Sequence, residues 1–374
     1  MRVLVLSKRQ YMGKDLLDDA YGRFQEIPLA LARAGHEVHG LCASYRPRPE
    51  GERVVGERGA AVSWRALNVP AVSPRALLAW ISRAGKMATE LRPDVIWACS
   101  DSFHAALGAR LERRLGIPCV VDLYDNFESY GANRIPGVTP LLKRAVRAAA
   151  GVTCVSGALE RLVRQRYGRD GPTLVLENGV SSDFAPQDRL ACRARFRLPP
   201  EARIVGTAGA LGAERDIETL FAAFHGLAAR DAGLYLLLAG RVLGGTRIPA
   251  HPRIVYLGER PLRDVPMVIG AMDVCVVCNK RSTFGDYCFP QKLYEIVACG
   301  VPPLVADTGG VAPLLAATPA NRYEPESAAS LAAGIERLLR SPAMPAFKAR
   351  GWAEHAASLS AFFERVRAAH LSGA

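Results

Sequence analysis

The tightest constraint on this chain is a rhythm: short apolar runs alternate with segments of helical period along most of its length. In the first half the runs fall at 2–6, 37–42, 61–67, 94–98, 118–122 and 152–155. Helical segments lie between them, as at 24–34, where Ile27, Leu31 and Ala34 are three or four residues apart. Apolar strands separated by helices predict parallel strands covered on both faces. The pattern restarts at 203–208 and continues at 234–239, 254–257, 274–278 and 303–306. Helices are expected there near 216–229, 264–271, 290–299 and 328–339. The stretch 181–200 contains Pro186, Pro199 and Pro200, has no clear strand pattern and reads as the join. Residues 346–369 read as a closing amphipathic helix, with Trp352, Ala356, Leu359, Phe363 and Val366 at helical spacing. The fold class expected is α/β, with two doubly wound domains facing a crevice. In such sheets ligands sit outside the carboxyl ends of the strands.

Composition narrows the class. The chain has 374 residues, 49% apolar and 22% charged, enough for two cores and far from a disordered composition. No stretch approaches the roughly 18–20 uncharged apolar residues of a membrane span. After Met1, the run Arg2-Val3-Leu4-Val5-Leu6 reads as a strand rather than a signal peptide. Nine cysteines, an odd number without framework spacing, favour reduced thiols and a cytoplasmic location. Net charge is +12, and residues 140–169 hold seven basic groups against Glu160 alone. That stretch reads either as a surface for anionic lipid or an anionic acceptor, on the inner face of the membrane, or as a solvated helix face. No basic stripe interleaved with aromatics points to nucleic acid.

The segment from Phe289 to Pro303 carries the strongest chemical signal. Pro290 suits the first turn of a helix, whose free N–H groups attract anions, and Gln291 follows it. Lys292 adds a charge there, and Glu295 lies three residues on, placed to accept hydrogen bonds from ribose hydroxyls. Gly300 and Pro302-Pro303 end the helix. A second segment, Gly206 to Asp216, follows the first strand of the second half and holds Gly206, Gly209 and Gly212, then Arg215. Its glycines let backbone approach a diphosphate, Arg215 offers a bidentate partner, and Asp216 is placed as a helix N-cap.

On these segments the chain resembles retaining glycosyltransferases of family 4 with the GT-B fold. Further landmarks are Arg33-Ala34-Gly35-His36-Glu37-Val38, Val152-Thr153-Cys154-Val155-Ser156 and Glu177-Asn178-Gly179-Val180, in the family's order. The resemblance implies two Rossmann-like domains: 1–186 for the acceptor and 187–345 for a nucleotide-sugar donor, UDP-sugar favoured. A C-terminal helix within 346–374 would return to the first domain. It implies that Glu295 binds the ribose, that Arg215 meets the donor phosphates, and that Gly258 lies where backbone cradles the nucleobase. Gly13 would approach the transferred sugar.

The sequence also departs from the pattern. The first of the family's two glutamates is replaced by Tyr287, with Asp286 as a candidate substitute. Ala210 stands where an arginine is common, and Tyr124, beside Asp125 and Asn126, where a histidine is often found.

Charge grows on the diphosphate as the glycosidic bond breaks, so fixed cations or a metal must stabilise it. No two aspartates stand at Asp-x-Asp spacing, so Arg215, Lys292 and the helix N-terminus are expected to replace a metal, and no cofactor is called for. Tyr124 or Asp125 is expected to contact the sugar or acceptor, and His104 has an acceptor-side position or is a core histidine. Cys275 and Cys278 lack a partner pair for a metal. The expected acceptor is a sugar, a lipid-linked group or a small molecule. Alternatives are a nucleotide-sugar epimerase or hydrolase of the same fold, and a non-catalytic sugar-nucleotide-binding scaffold.

Overall fold

The computed structural model describes residues 1–11, 14–19, 22–57, 59–70, 73–281, 291–309 and 311–372. Gly13, Asp286 and Pro290, singled out above, lie outside the described residues. Met1–Gly179 together with Trp352–Ala374 form one compact unit, and Val180–Gly351 form the other. Residues 180–186 thus belong to the second unit.

The strands of unit 1 are β1 (Arg2–Lys8), the short pair β2 (Gln10–Tyr11) and β3 (Lys14–Asp15), β4 (Glu37–Ser44), β5 (Gly51–Glu57), β6 (Ala60–Asn68), β7 (Val95–Cys99), β8 (Cys119–Leu123), β9 (Gly151–Cys154) and β10 (Thr173–Val175). Eight of them form one sheet in the order β10-β9-β8-β7-β1-β4-β6-β5. Every pair in it is parallel except β5 with β6. The apolar runs become strands because both faces are covered: all five residues of β7 and of β8 are buried. The helices are α1 (Arg23–Arg33), α2 (Pro74–Leu91), α3 (Ser102–Leu115), α4 (Val138–Ala148) and α5 (Gly157–Tyr167). Asp101 caps α3 at its start, and Gly116 ends it with φ +68°.

In unit 2, β11 (Arg203–Ala208), β12 (Leu234–Ala239), β13 (Ile254–Tyr256), β14 (Val274–Val277), β15 (Pro303–Ala306) and β16 (Arg322–Tyr323) form a sheet ordered β13-β12-β11-β14-β15-β16. All its pairs are parallel. Its helices are α6 (Arg189–Arg195), α7 (Ile217–Ala228), α8 (Val265–Gly270), α9 (Gln291–Ala298) and α10 (Ala328–Arg340). Phe221, Phe224, Leu238, Val276, Leu304 and Ile335 meet in its core.

The closing helix, α11 (Trp352–Ser372), starts six residues later than its apolar period suggests. The Arg350 carbonyl accepts the Val180 N–H at 3.0 Å and Gly351 bridges to Val180, which holds 350–351 extended. The helix belongs to unit 1: Ser360 Oγ lies 2.8 Å from His36 Nε2, and the Phe363 ring packs on Trp97. Asp216 departs from expectation too. It precedes α7 in a left-handed conformation, φ +57°, without capping it through the side chain. Its carboxylate accepts instead from Thr219 Oγ1 at 2.9 Å and from the Glu326 N–H at 3.1 Å.

A buried ion pair fixes the end of unit 1. Arg23, the first residue of α1, donates to Asp122 at 2.7 and 3.0 Å, and both side chains are fully buried. Its third nitrogen reaches the Leu176 carbonyl at 2.8 Å and the Glu177 carbonyl at 3.2 Å. Among the described residues no helix is long and apolar enough to cross a membrane.

Candidate functional site

Each sheet changes winding direction once. In unit 2 the chain leaves β11 toward β12 and returns on the other side at β14, so the carboxyl ends of β11 and β14 mark the switch point. Gly209 stands at that end of β11 with φ +123°. A methyl group on it would lie 2.3 Å from the Cε and Nζ atoms of Lys292, so the lysine is laid directly over the glycine backbone. Gly240, φ +128°, ends β12 so close to Gly209 that a methyl group would meet the Gly209 carbonyl. The Gly240 N–H donates to the Gly258 carbonyl at 2.8 Å, which ties in the loop after β13, and Gly258 itself has φ +75°. Only residues without Cβ permit this convergence of backbone.

Two cations meet here. Burial lowers the Lys292 pKa, and neighbouring Arg215 lowers it further, while Cys278, Cys275 and Glu295 act in the opposite sense. Arg215 ends a short 3-10 turn over Ala213–Arg215. Two cations beside half-buried glycine backbone suit an anionic group. Glu295 follows one turn along α9. Burial pushes its carboxyl up to about 7, against the pull of Lys292 and a hydrogen bond from Gln291. Gly212 is buried and packs on Leu243, 3.2 Å from where its own Cβ would stand. Beside the site, at the carboxyl end of β15, a cleft of about 420 Å³ is lined by Arg281, Asp307, Thr308, Gly309 and Ala312.

Unit 1 changes direction between β1 and β7. After β7, Ser100 adopts φ +95°, a costly conformation for a residue with a side chain, and its Oγ accepts the Lys8 N–H at 2.8 Å. Lys8 ends β1, and its Nζ donates to the Tyr124 hydroxyl at 2.6 Å. The Tyr130 hydroxyl lies 2.6 Å from that of Tyr124 and 3.1 Å from Asp125 Oδ2. Tyr124 is buried among Tyr11, Phe24 and Phe127, and burial holds its phenol far above the usual range.

His104 is fully buried in the first turn of α3, with Nδ1 2.8 Å from Asp101 Oδ1 and its ring against Trp80. Burial opposes ionisation of Asp101, but His104 and the Tyr45 hydroxyl hold its carboxyl well below the usual range. Asn126 accepts the Glu128 N–H and caps a 3-10 turn.

The structure thus brings Gly209, Arg215, Lys292, Gln291 and Glu295 together in unit 2, and Tyr124 and Asp125 together in unit 1. Sequence reasoning missed Lys8. Its partners are 92 and 116 residues away, and only the strand order joins them.

The basic stretch divides as well. Arg169 is buried and donates to the Val146 carbonyl at 3.0 Å and to that of Pro172 at 3.1 Å, and Lys143 pairs with Glu128 at 3.1 Å. Arg144, Arg147, Arg161 and Arg166 are exposed, as are Ile135 and Leu141. Among the described residues no group of three or more His, Cys, Asp or Glu is arranged to hold a metal.

Residues 23–179 match the family model of the glycosyl transferase 4-like domain, and residues 202–341 that of glycosyl transferases group 1. The chain is 28% identical over 302 residues to a GDP-mannose-dependent alpha-mannosyltransferase of Mycolicibacterium smegmatis, covering 76% of this chain and 75% of that protein. It is 28% identical over 177 residues to a D-inositol 3-phosphate glycosyltransferase of Stackebrandtia nassauensis, covering 43% and 39%. Among solved structures, a sucrose-phosphate synthase from Thermosynechococcus elongatus matches with a TM-score of 0.69 at 18% identity, covering 98% of this chain and 96% of the other. HepE from Anabaena, solved in complex with UDP, matches with a TM-score of 0.68 at 18% identity over 100% of both chains.

Proposed function

The chain belongs to the group 1 glycosyltransferases with a 4-like N-terminal domain, and from that membership we propose that unit 2 holds a nucleoside diphosphate sugar whose glycosyl group passes to a hydroxyl acceptor held by unit 1. The observation that carries this is the pair Arg215 and Lys292 at the glycine-walled switch point of unit 2. A diphosphate there pairs with both cations. As the bond from the anomeric carbon to the phosphate oxygen breaks, negative charge grows on that diphosphate, and Arg215 and Lys292 stabilise it. Glu295 accepts from the ribose hydroxyls, and the Gly258 loop lies against the base.

A UDP-sugar is the favoured donor. The neighbour solved with UDP supports it, and the mannosyltransferase relative named for GDP-mannose makes GDP-sugars the control. Transfer proceeds with retention and without a metal, the two cations acting in its place. The exposed arginines of α4 and α5, together with exposed Ile135 and Leu141, favour a lipid-linked acceptor at an anionic membrane surface on the cytoplasmic side.

The test is sugar transfer from UDP-glucose and GDP-mannose in EDTA, with the product's anomeric configuration read by NMR. Arg215→Ala should lower turnover about a hundredfold or more with the fold intact. An unchanged rate removes Arg215 from the donor site, and inversion overturns the stereochemical reading.

A further inference from the structure

Lys8, Tyr124, Tyr130 and Asp125 form a hydrogen-bonded run at the carboxyl edge of the unit 1 sheet, and no donor role uses it. Each phenol carries one proton. The Tyr130 hydroxyl donates to the Tyr124 oxygen at 2.6 Å, with Asp125 Oδ2 3.1 Å away, and the same Tyr124 oxygen accepts from the Lys8 Nζ. Tyr124 and Asp125 are buried, whereas Lys8 and Tyr130 are partly exposed. The Lys8 Nζ stands 5.2 Å from the ring centres of both Tyr124 and Tyr130. Around these two partly exposed residues an ammonium, a phenol oxygen and two aromatic rings thus lie close together.

The charge of this place decides what it suits. Burial lowers the Lys8 pKa, and the carboxylates of Asp101 and Asp125 act to raise it again. Both carboxylates thus act on Lys8, and Asp101 is also bonded to His104 and Tyr45. A phosphate or carboxylate arriving here meets like charge that Lys8 already serves to offset. A neutral polyol meets donors, acceptors and a ring surface without any charge to desolvate.

We propose that Lys8 and Tyr130 position the acceptor, and that the group they receive is an uncharged polyhydroxylated ring rather than a sugar phosphate or an anionic headgroup. This rests on the glycosyltransferase reading and names the acceptor chemistry of unit 1. Lys8 and Tyr130 are positioning residues, held in place through Tyr124.

Saturation-transfer NMR on the full chain in the presence of UDP tests it, with methyl α-mannoside, myo-inositol and myo-inositol 1-phosphate as probes. A neutral probe should bind, and Lys8→Met and Tyr130→Phe should each weaken it about tenfold or more, while Lys8→Arg keeps part of the binding. The phosphate should bind more weakly than its neutral parent. Tyr130→Phe loses only a hydroxyl, so it remains informative if Lys8→Met does not fold. Equal binding of the neutral probes by wild type and Tyr130→Phe overturns the proposal, as does no neutral binding at all. Tighter binding of the phosphate that depends on Lys8 overturns it as well. UDP affinity, measured on the same samples, separates this from the donor assignment: UDP binding without polyol binding refutes the acceptor site alone.

Discussion

The Lys292 side chain occupies the space that a side chain on Gly209 would fill, with Nζ 2.3 Å from where the glycine's Cβ would stand. The backbone there has φ +123°, which strains any other residue. Gly209→Ala should therefore displace Lys292 and cost about 1–3 kcal/mol in stability. Calorimetric titration with UDP should show at least a tenfold loss of affinity, and retained affinity would mean that Lys292 binds from elsewhere.

Glu295 gives the proposed donor site a pH dependence with a definite sign. Its carboxyl titrates near 4.5 in the unfolded chain and at about 7 in the folded one, because burial disfavours the charge. The folded state then binds more protons between those values. This contribution to stability is fully present below about 4.5 and is lost as pH rises through about 7. Glu295→Gln should remove that loss, so urea midpoints of the two proteins should converge or cross between pH 5 and 8. Parallel pH curves would count against a buried, neutral Glu295.

Asp122 balances a charge that has no route to water. Its partner Arg23 is fully buried, so Asp122→Asn leaves a buried guanidinium facing a neutral amide. The expected loss is about 3–5 kcal/mol. Chemical denaturation should register it as a lower midpoint at unchanged slope. A change below about 1 kcal/mol would show the pair to be dispensable.

Association with lipid should follow the exposed arginines and not the buried one. In co-sedimentation with vesicles containing anionic phospholipid, Arg144→Glu combined with Arg161→Glu should release the protein at physiological salt. Binding unchanged by the double substitution would place any membrane contact on another face.

Much of this fold is legible as apolar runs because its central strands are buried on both faces. The 203–208 and 303–306 runs coincide with β11 and β15. The elements that escaped have no such signature. β5, Gly-Glu-Arg-Val-Val-Gly-Glu, lies at the sheet edge with six of its seven residues exposed, so no alternation marks it. The start of the closing helix was obscured because Gly351 is held by Val180, which is 171 residues away. In unit 2 the proximity of Gly209, Lys292 and Glu295 was legible because glycine at a strand end and a Lys-x-x-Glu turn each carry a local reason. Lys8 was not, because nothing near it in sequence says that Tyr124 will lie 2.6 Å from its Nζ.

The most direct test of the donor site is a thermal-shift series of wild type and Lys292→Met with UDP, GDP, ADP and dTDP, in EDTA. A ligand that binds only the folded state raises the melting temperature. One nucleotide should stabilise wild type by several degrees, undiminished by EDTA, and should barely shift Lys292→Met. No shift with any nucleotide at millimolar concentration, or the same shift in both proteins, would contradict a diphosphate held by Lys292 over Gly209.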